Sequence, residues 1–487
     1  MNKKPPVVVV LGHIDHGKST LIDYIRKANV TAKEAGGITQ SIGAYQVSVE
    51  TKSGKLKTEN LITFIDTPGH EAFEHMRSFG ARAADIGILV IAADEGVKPQ
   101  TIEAIKDIKQ SNLPFIVALN KIDRPQTNVK KVKEELIQHE VFVEGFGGNV
   151  PAVEISAKTG KGVKELLDLL TLMAEVEGLS ADPAKPAAGV IIVSSLDSQK
   201  GVLATGIVKD GTLKVGQWLR LQSTHGKVKA LRDFEGKLIR QALPSTPVQI
   251  SGLEELPAVG ETFIAVKSQD EAASELLPAP SALISDKVAP GQKALRFVLK
   301  AKESASLDAL SKLFSQVQTQ YPDIALQVVT KSVGDISTSD IEIARRFNAL
   351  VVGFAIKIPN IVRPLVAQKE IPIKLFSIVY DLPKIVEEWV KQSFAQEAKA
   401  LEKSELAVLG AFSKSKDGQV IGGKVAKGAI KKGMLVNIKR QETIVGRGKI
   451  TNLQHLKQDV SVVEAGKECG ILFQGDDVQV NDILVES

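Results

Sequence analysis

Residues Val7 to Thr20 read VVVVLGHIDHGKST. A run of valines and a leucine ending in glycine is the pattern of a strand covered on both faces in a parallel sheet. From Lys18 the pattern changes, and Leu21, Ile22 and Ile25 fall at helical spacing. Between strand and helix lies G-x-x-x-x-G-K-S, Gly12 to Ser19. In that setting backbone N–H groups and a helix N-terminus converge on phosphate oxygens. The N–H groups from Asp15 to Ser19 are expected to face the phosphates. Lys18 is expected to reach the β- and γ-phosphates, and Ser19 to hold Mg²⁺. The stretch therefore predicts an α/β domain wound on a parallel sheet, with a phosphate loop at a strand's carboxyl end.

Further segments along the chain have the same construction. LITFIDTPGH (Leu61 to His70) is an apolar strand ending in Asp66, then a turn through Pro68 and Gly69. A carboxylate at that strand end reaches Mg²⁺ through water, and the Gly69 N–H points at a γ-phosphate. PFIVALNKID (Pro114 to Asp123) is a strand ending in Asn120 and Lys121, with Asp123 beyond. The Asp123 carboxylate can accept from the ring N–H and the exocyclic amino group of guanine. Adenine has no such donor pair, so this residue selects GTP over ATP. EISAK (Glu154 to Lys158) brings Ser156, Ala157 and Lys158, whose backbone is expected near the guanine oxygen. A glycine turn with no ligand is the plain alternative for the phosphate loop, and Asn-Lys-x-Asp or Ser-Ala-Lys taken separately is a weak signal. All of them in order, each at a strand end, point to a GTP/GDP site with Mg²⁺.

Composition bounds the rest. The chain has 487 residues, a formal net charge of +5 and 43% hydrophobic residues, enough for about three or four domains. No apolar run approaches the ~18 residues of a membrane span, and the first residues are too few and too polar for a secretory signal. A single cysteine, Cys469, excludes an internal disulfide and fits a reducing cytoplasm. Aromatic residues are only 5%, which argues against base stacking as the main binding mode.

After a proline- and alanine-rich linker, Ser180 to Gly189, strand–helix alternation gives way to short strands and glycine turns. Lys200–Leu221 and Asp417–Ile438 align without gaps: Gly201, Gly206, Val208, Gly211, Lys214 and Gly216 meet Gly418, Gly423, Val425, Gly428, Lys431 and Gly433. That register predicts two copies of one β-barrel. Between the copies, strands and helices alternate again from Leu295. The charged stretch from Asp381 to Ser404 then reads as a long, solvated amphipathic helix. The expected division is a nucleotide domain over 1–182, a β-barrel domain over 188–267, a linker over 268–292, a small α/β/α sandwich over 293–381, a connecting helix over 382–404 and a C-terminal β-barrel over 405–487.

The four motif segments resemble the core of the translational GTPases. EAGGITQSIGAY (Glu34 to Tyr45) is similar to the first switch loop of the bacterial translation initiation factor two family. The resemblance implies an α/β multidomain fold: P-loop GTPase domain, β-barrel, α/β/α sandwich, long connecting helix and second β-barrel. It implies that Ser19, Thr39 and Asp66 hold Mg²⁺. It places Asp15, His16, Gly17, Lys18, Ser19, Thr20, Gly69, Asn120, Lys121, Asp123, Ser156, Ala157 and Lys158 at the nucleotide. It makes His70 the residue that orients the attacking water when ribosomal RNA positions it, and Ile14 and Ile38 its hydrophobic gate. No arginine in the switch regions is an obvious finger, since Arg77 and Arg82 read as helix-face residues, so an external activator is implied.

In the last barrel, Lys457, Glu468, Cys469 and Gly470 match the family's pocket for formylmethionyl initiator tRNA, and Lys424 occupies a position often held by cysteine. Cys469 reads equally well as a plain core residue. Gln454, His455 and Leu456 depart from the basic-basic-aromatic run usual before Lys457. KAKESAS (Lys300 to Ser306) departs from the usual start of the third domain, and the chain begins without the family's N-terminal extension. The implied function is a cytoplasmic, monomeric translation initiation factor. Its ribosome-activated GTPase would promote initiator tRNA binding to the small subunit and joining of the large one, and hydrolysis would release the factor. Alternatives are another tRNA-delivering translational GTPase and a GTP-sensing ribosome-assembly adaptor.

Overall fold

A computed structural model of the chain describes every residue except 1, 27–38, 54–55, 70, 274–292, 402, 416–417 and 442. The chain divides into two compact units, 1–385 and 386–487. The first unit opens with a six-stranded sheet and its helices. The strands are β1 (Val7–Gly12), β2 (Gly43–Ser53), β3 (Leu56–Asp66), β4 (Ile86–Ala92), β5 (Phe115–Asn120) and β6 (Ala152–Glu154). The helices are α1 (Lys18–Arg26), α2 (Glu74–Ala83), α3 (Pro99–Gln110), α4 (Val129–Gln138) and α5 (Val163–Val176). Strand order is β2-β3-β1-β4-β5-β6, and only the β2–β3 pair is antiparallel.

Strand β1 has to be apolar throughout because helices cover both of its faces. Val8 and Val10 pack with Leu21 and Ile22 of α1 and Leu166 and Leu170 of α5. Val9 points the other way, toward Gly80 of α2. Register brings the working strand ends to one edge: Val10 pairs with Asp66, Gly12 with Val90, Ala92 with Asn120 and Leu119 with Glu154. That edge is the crevice at the carboxyl ends of parallel strands, where ligands of such sheets sit.

The next domain of this unit is a closed six-stranded antiparallel barrel, β7 (Ala188–Asp197), β8 (Gly201–Asp210), β9 (Trp218–Arg220), β10 (His225–Arg232), β11 (Pro247–Leu253) and β12 (Thr262–Val266). Its order runs β9-β12-β7-β8-β11-β10 and returns to β9. A four-stranded parallel sheet follows, β13 (Lys293–Ala301), β14 (Ile324–Val333), β15 (Leu350–Phe354) and β16 (Ile373–Phe376), in the order β14-β13-β15-β16. Helices α6 (Ser304–Gln318), α7 (Thr338–Phe347) and α8 (Arg363–Lys369) connect its strands. Helix α9 (Leu382–Leu401) comes next. Its first turns differ from the solvated reading: Leu382, Ile385, Val386 and Val390 are buried, an apolar stripe at helical spacing.

The second unit contains another closed barrel, β17 (Glu405–Ser415), β18 (Gly418–Lys427), β19 (Leu435–Arg440), β20 (Thr443–His455), β21 (Glu468–Gly475) and β22 (Ile483–Glu486). Its order, β19-β22-β17-β18-β21-β20 and back to β19, repeats that of the first barrel strand for strand. The aligned glycines explain why the repeat is visible in sequence. Gly211 and Gly428 have φ of +74° and +64°, and Gly216 and Gly433 have +92° and +89°. A side chain is strained at each of these turns, so glycine is retained in both copies.

Candidate nucleotide-binding site

A cavity of about 580 Å³ opens at the carboxyl edge of the first sheet. Ile14, Asp15, Gly17, Lys18, Ser19 and Thr20 line it from the phosphate loop, and Thr39 and Gly69 from the two switch segments. Asn120, Lys121, Asp123, Ala157 and Lys158 complete the far end. Ser156 and His16 stand behind this lining and hold it in place. His70 and Ile38 lie outside the described residues, as does most of the linker over 268–292.

The loop's shape depends on its glycines. Gly17 has φ +90°, and a Cβ there would collide with the Asn120 amide nitrogen. The Lys18 ammonium turns back on the loop, donating to the carbonyls of Gly12 at 3.0 Å and His13 at 2.7 Å. Burial pulls the Lys18 pKa down to about 8, partly offset by the Asp66 carboxylate. Burial also pushes Asp66 up to about 6 against the pull of Lys18. Bringing phosphate oxygens to this ammonium would restore a negative partner and favour its charged form.

The hydroxyls of Ser19 and Thr39 lie 2.6 Å apart, and Thr39 donates to Asp66 Oδ2 at 3.3 Å. The other Asp66 oxygen is buried and accepts no hydrogen bond within the described structure. Two hydroxyls and a carboxylate oxygen left in need of a positive partner form an oxygen donor set that fits Mg²⁺ and its waters.

At the end of the cavity lined by Asn120, Lys121 and Asp123, hydrogen bonds fix the side chains. The Asn120 amide donates to the His16 carbonyl at 2.8 Å, and its oxygen accepts from the Ala157 N–H at 2.9 Å. The Ser156 hydroxyl donates to Asp123 at 2.7 Å, and this bond lowers the carboxyl's pKa and keeps it ionised. The N–H of Ser156 is itself bound to the Lys161 carbonyl at 2.9 Å. Ser156 and Ala157 therefore orient Asp123 and Asn120, and Ala157 and Lys158 line the cavity. The ammonium of Lys121, at φ +66°, meets Glu95 at 2.8 Å. Glu95 and Arg124 also line the cavity, and Gln100 accepts the Ile14 N–H at 2.9 Å. Of these, only Glu95 has a signal in sequence, an acidic pair just after a buried apolar strand.

Arg77 corrects its sequence reading. It is wholly buried, not a helix-face residue, because Glu103 and Asp107 on α3 face its guanidinium.

In the last barrel, Lys424 pairs with Glu468, Gly423 with Cys469 and Gly422 with Gly470 on adjacent strands. The Lys424 and Glu468 side chains are exposed, whereas Cys469 packs in the barrel core. Burial pushes the Cys469 thiol up to about 11. Lys457 sits in a tight turn at φ +66°, tied to this face by His455, whose ring lies 2.7 Å from the Glu468 carbonyl. Register adds a feature that the motif match lacks. Gly410, Gly422 and Gly470 lie side by side on three strands. A Cβ on Gly422 or Gly470 would meet nothing within 4 Å. At the equivalent register of the first barrel stand Val193, Thr205 and Gln249. Only the last barrel has a bare shelf there, between the apolar Phe412, Val420 and Leu472 and the charged pair Lys424 and Glu468.

Known families match the chain piece by piece. Residues 3–176 match the Elongation factor Tu GTP binding domain, 186–266 match Elongation factor G domain 2, and 279–387 match Translation-initiation factor 2. Relatives that cover nearly the whole of this chain include several named Translation initiation factor IF-2. The chain is similar to Translation initiation factor IF-2 of Thermotoga sp. strain RQ2, 42% identical over 99% of this chain and 71% of that protein. It is also similar to the factor of the same name from Thermodesulfovibrio yellowstonii, 40% identical over 99% of this chain and 65% of that protein. The Onion yellows phytoplasma factor is 36% identical over 100% of this chain and 80% of that protein. The chain thus spans less than two thirds of the Thermodesulfovibrio yellowstonii relative, and more of the other two. Identity of this extent, across both barrels as well as the nucleotide cavity, has one consequence: the chain belongs to the translation initiation factor IF-2 family.

Proposed function

We propose that this protein binds GTP with Mg²⁺ and hydrolyses it on the ribosome as a translation initiation factor. It promotes binding of formylmethionyl initiator tRNA to the small subunit and joining of the large one, and release of the factor follows hydrolysis. It acts as a cytoplasmic monomer. Residues 1–182 are the GTPase, and 405–487 are the initiator tRNA domain. The observation that carries the nucleotide reading is the pair of locks on Asn120 and Asp123, since a carboxylate held ionised and aimed is what guanine recognition needs. Ser19, Thr39 and Asp66 would hold Mg²⁺, which neutralises phosphate charge when bound. The glycine shelf supports the tRNA reading: it leaves room for a small apolar group beside a lysine suited to phosphate or carbonyl oxygens.

Two experiments test the parts separately. Ribosomes are expected to accelerate GTP hydrolysis, and His70→Ala to keep GTP binding while losing that acceleration by about a hundredfold or more. Equal stimulation of wild type and variant removes His70 from the mechanism. Spontaneous hydrolysis of the aminoacyl ester is expected to slow for formylated initiator tRNA and not for the unformylated form. Equal rates with and without the protein sink the tRNA assignment and leave the GTPase standing.

A further inference from the structure

Among the described residues, the largest fully buried side chain is a charged one, Arg77, with no exposed surface. A buried guanidinium is costly unless its donors are used, and what they meet therefore indicates what it is for. Arg77 lies on α2. One terminal nitrogen pairs with Glu103 of α3, and Nε lies 3.9 Å from Asp107 one helical turn further along. The other terminal nitrogen donates to the Gly69 carbonyl at 3.2 Å. That carbonyl belongs to the turn that follows Asp66 and lines the nucleotide cavity.

The turn has little freedom on its other sides. The Thr67 hydroxyl donates to the Val10 carbonyl at 2.9 Å. A Cβ on Gly69 would stand 2.6 Å from the Lys18 ammonium and 2.9 Å from the Ile14 nitrogen. A Cβ on Gly80 of α2 would press on Thr67 at 2.8 Å. Thr67 is fixed from β1, and Gly69 is confined against the phosphate loop. The Gly69 carbonyl is the remaining handle, and Arg77 occupies it.

We propose that Arg77 is a positioning residue for γ-phosphate sensing: its guanidinium, braced by Glu103 and Asp107, holds the Gly69 carbonyl and so presents the glycine to the terminal phosphate. The proposal rests on the reading of the cavity as a GTP site. It requires that Arg77 act only where a γ-phosphate is present. A merely structural arginine would affect both nucleotides alike.

The test compares affinities for a non-hydrolysable GTP analogue and for GDP in the full chain. Arg77→Met is expected to weaken the analogue about tenfold or more and to leave GDP within about twofold, a difference of one decade in relative affinity. Arg77→Lys, which keeps a charge and one donor, is expected to recover part of that loss. Parallel loss of both nucleotides, or no loss of either, overturns the proposal. Should Arg77→Met fail to fold, Glu103→Gln carries the same test, because that side chain is 36% exposed and pairs with the guanidinium. It is expected to shift the ratio in the same direction by about threefold, and an unchanged ratio overturns the proposal. Failure of the wild type to bind either nucleotide would instead remove the underlying GTP reading.

Discussion

At the residue scale, His16 shows how the loop between β1 and α1 uses a side chain that does not line the cavity. Its ring is fully buried and edge-on to His13 at 5.0 Å, while its carbonyl receives the Asn120 amide. Burial, reinforced by His13 and Lys18, lowers its pKa from 6.5 to about 3. The folded chain therefore keeps this imidazole neutral, whereas the unfolded chain protonates it near 6.5. Below that pH the unfolded state binds more protons, so stability falls as pH drops from about 6.5 toward 3. At pH 5 the loss from this one group is about 2 kcal/mol relative to pH 7. His16→Gln is expected to lose about 2 kcal/mol less than wild type over the same interval in urea unfolding. Identical pH dependence in both proteins would show that the ring titrates normally. Sequence cannot supply this. A histidine inside a glycine loop looks exposed, and only the fold brings Asn120 to its carbonyl and His13 edge-on to its ring.

At the element scale, the two barrels are a controlled comparison within one chain. Gapless register and paired glycines at positive φ make the repeat legible in sequence, because turn geometry constrains the residue type directly. The nucleotide edge is legible for a related reason: each of its motifs ends its own strand, and parallel pairing collects those ends. The glycine shelf is not legible. Gly410, Gly422 and Gly470 are far apart in sequence and become neighbours only through strand register. Arg77 is hidden in the same way, since its carboxylate partners come from the next helix. The shelf makes a specific expectation possible. Gly422→Val fills it with open space around the new Cβ, so the barrel should unfold within about 0.5 kcal/mol of wild type. Selective slowing of ester hydrolysis on formylated initiator tRNA should be lost. Retained protection with a folded barrel would place the recognised group elsewhere on this face.

At the scale of the whole first unit, the switch segment reaches across to the sheet that precedes α9. The Gln40 amide donates to the Ser377 carbonyl at 3.0 Å and accepts from the Val379 N–H at 3.0 Å. Its neighbour Thr39 is held by Ser19 and Asp66 at the nucleotide cavity. A second tie joins Glu74, at the start of α2, to Lys312 of α6 at 2.7 Å. The Gln40 pair is the more informative because both bonds go to backbone, in the turn that leads directly into α9. Removing it exposes one backbone donor and one acceptor to water, a loss of about 1–2 kcal/mol locally and therefore roughly tenfold faster exchange of the Val379 amide. Gln40→Ala is expected to show that acceleration by hydrogen exchange. Gln40→Glu is expected to keep most of the protection, because a carboxylate still accepts from Val379 although it cannot donate to Ser377. Because Thr39 and Gln40 are adjacent, a ligand that recruits Thr39 is expected to alter the bond at Val379. Exchange at that amide should then differ between the GTP-analogue and GDP forms of the wild type and not of Gln40→Ala. If Val379 exchanges at one rate in the GTP-analogue and GDP forms of the wild type, no link from the nucleotide cavity toward α9 runs through Gln40.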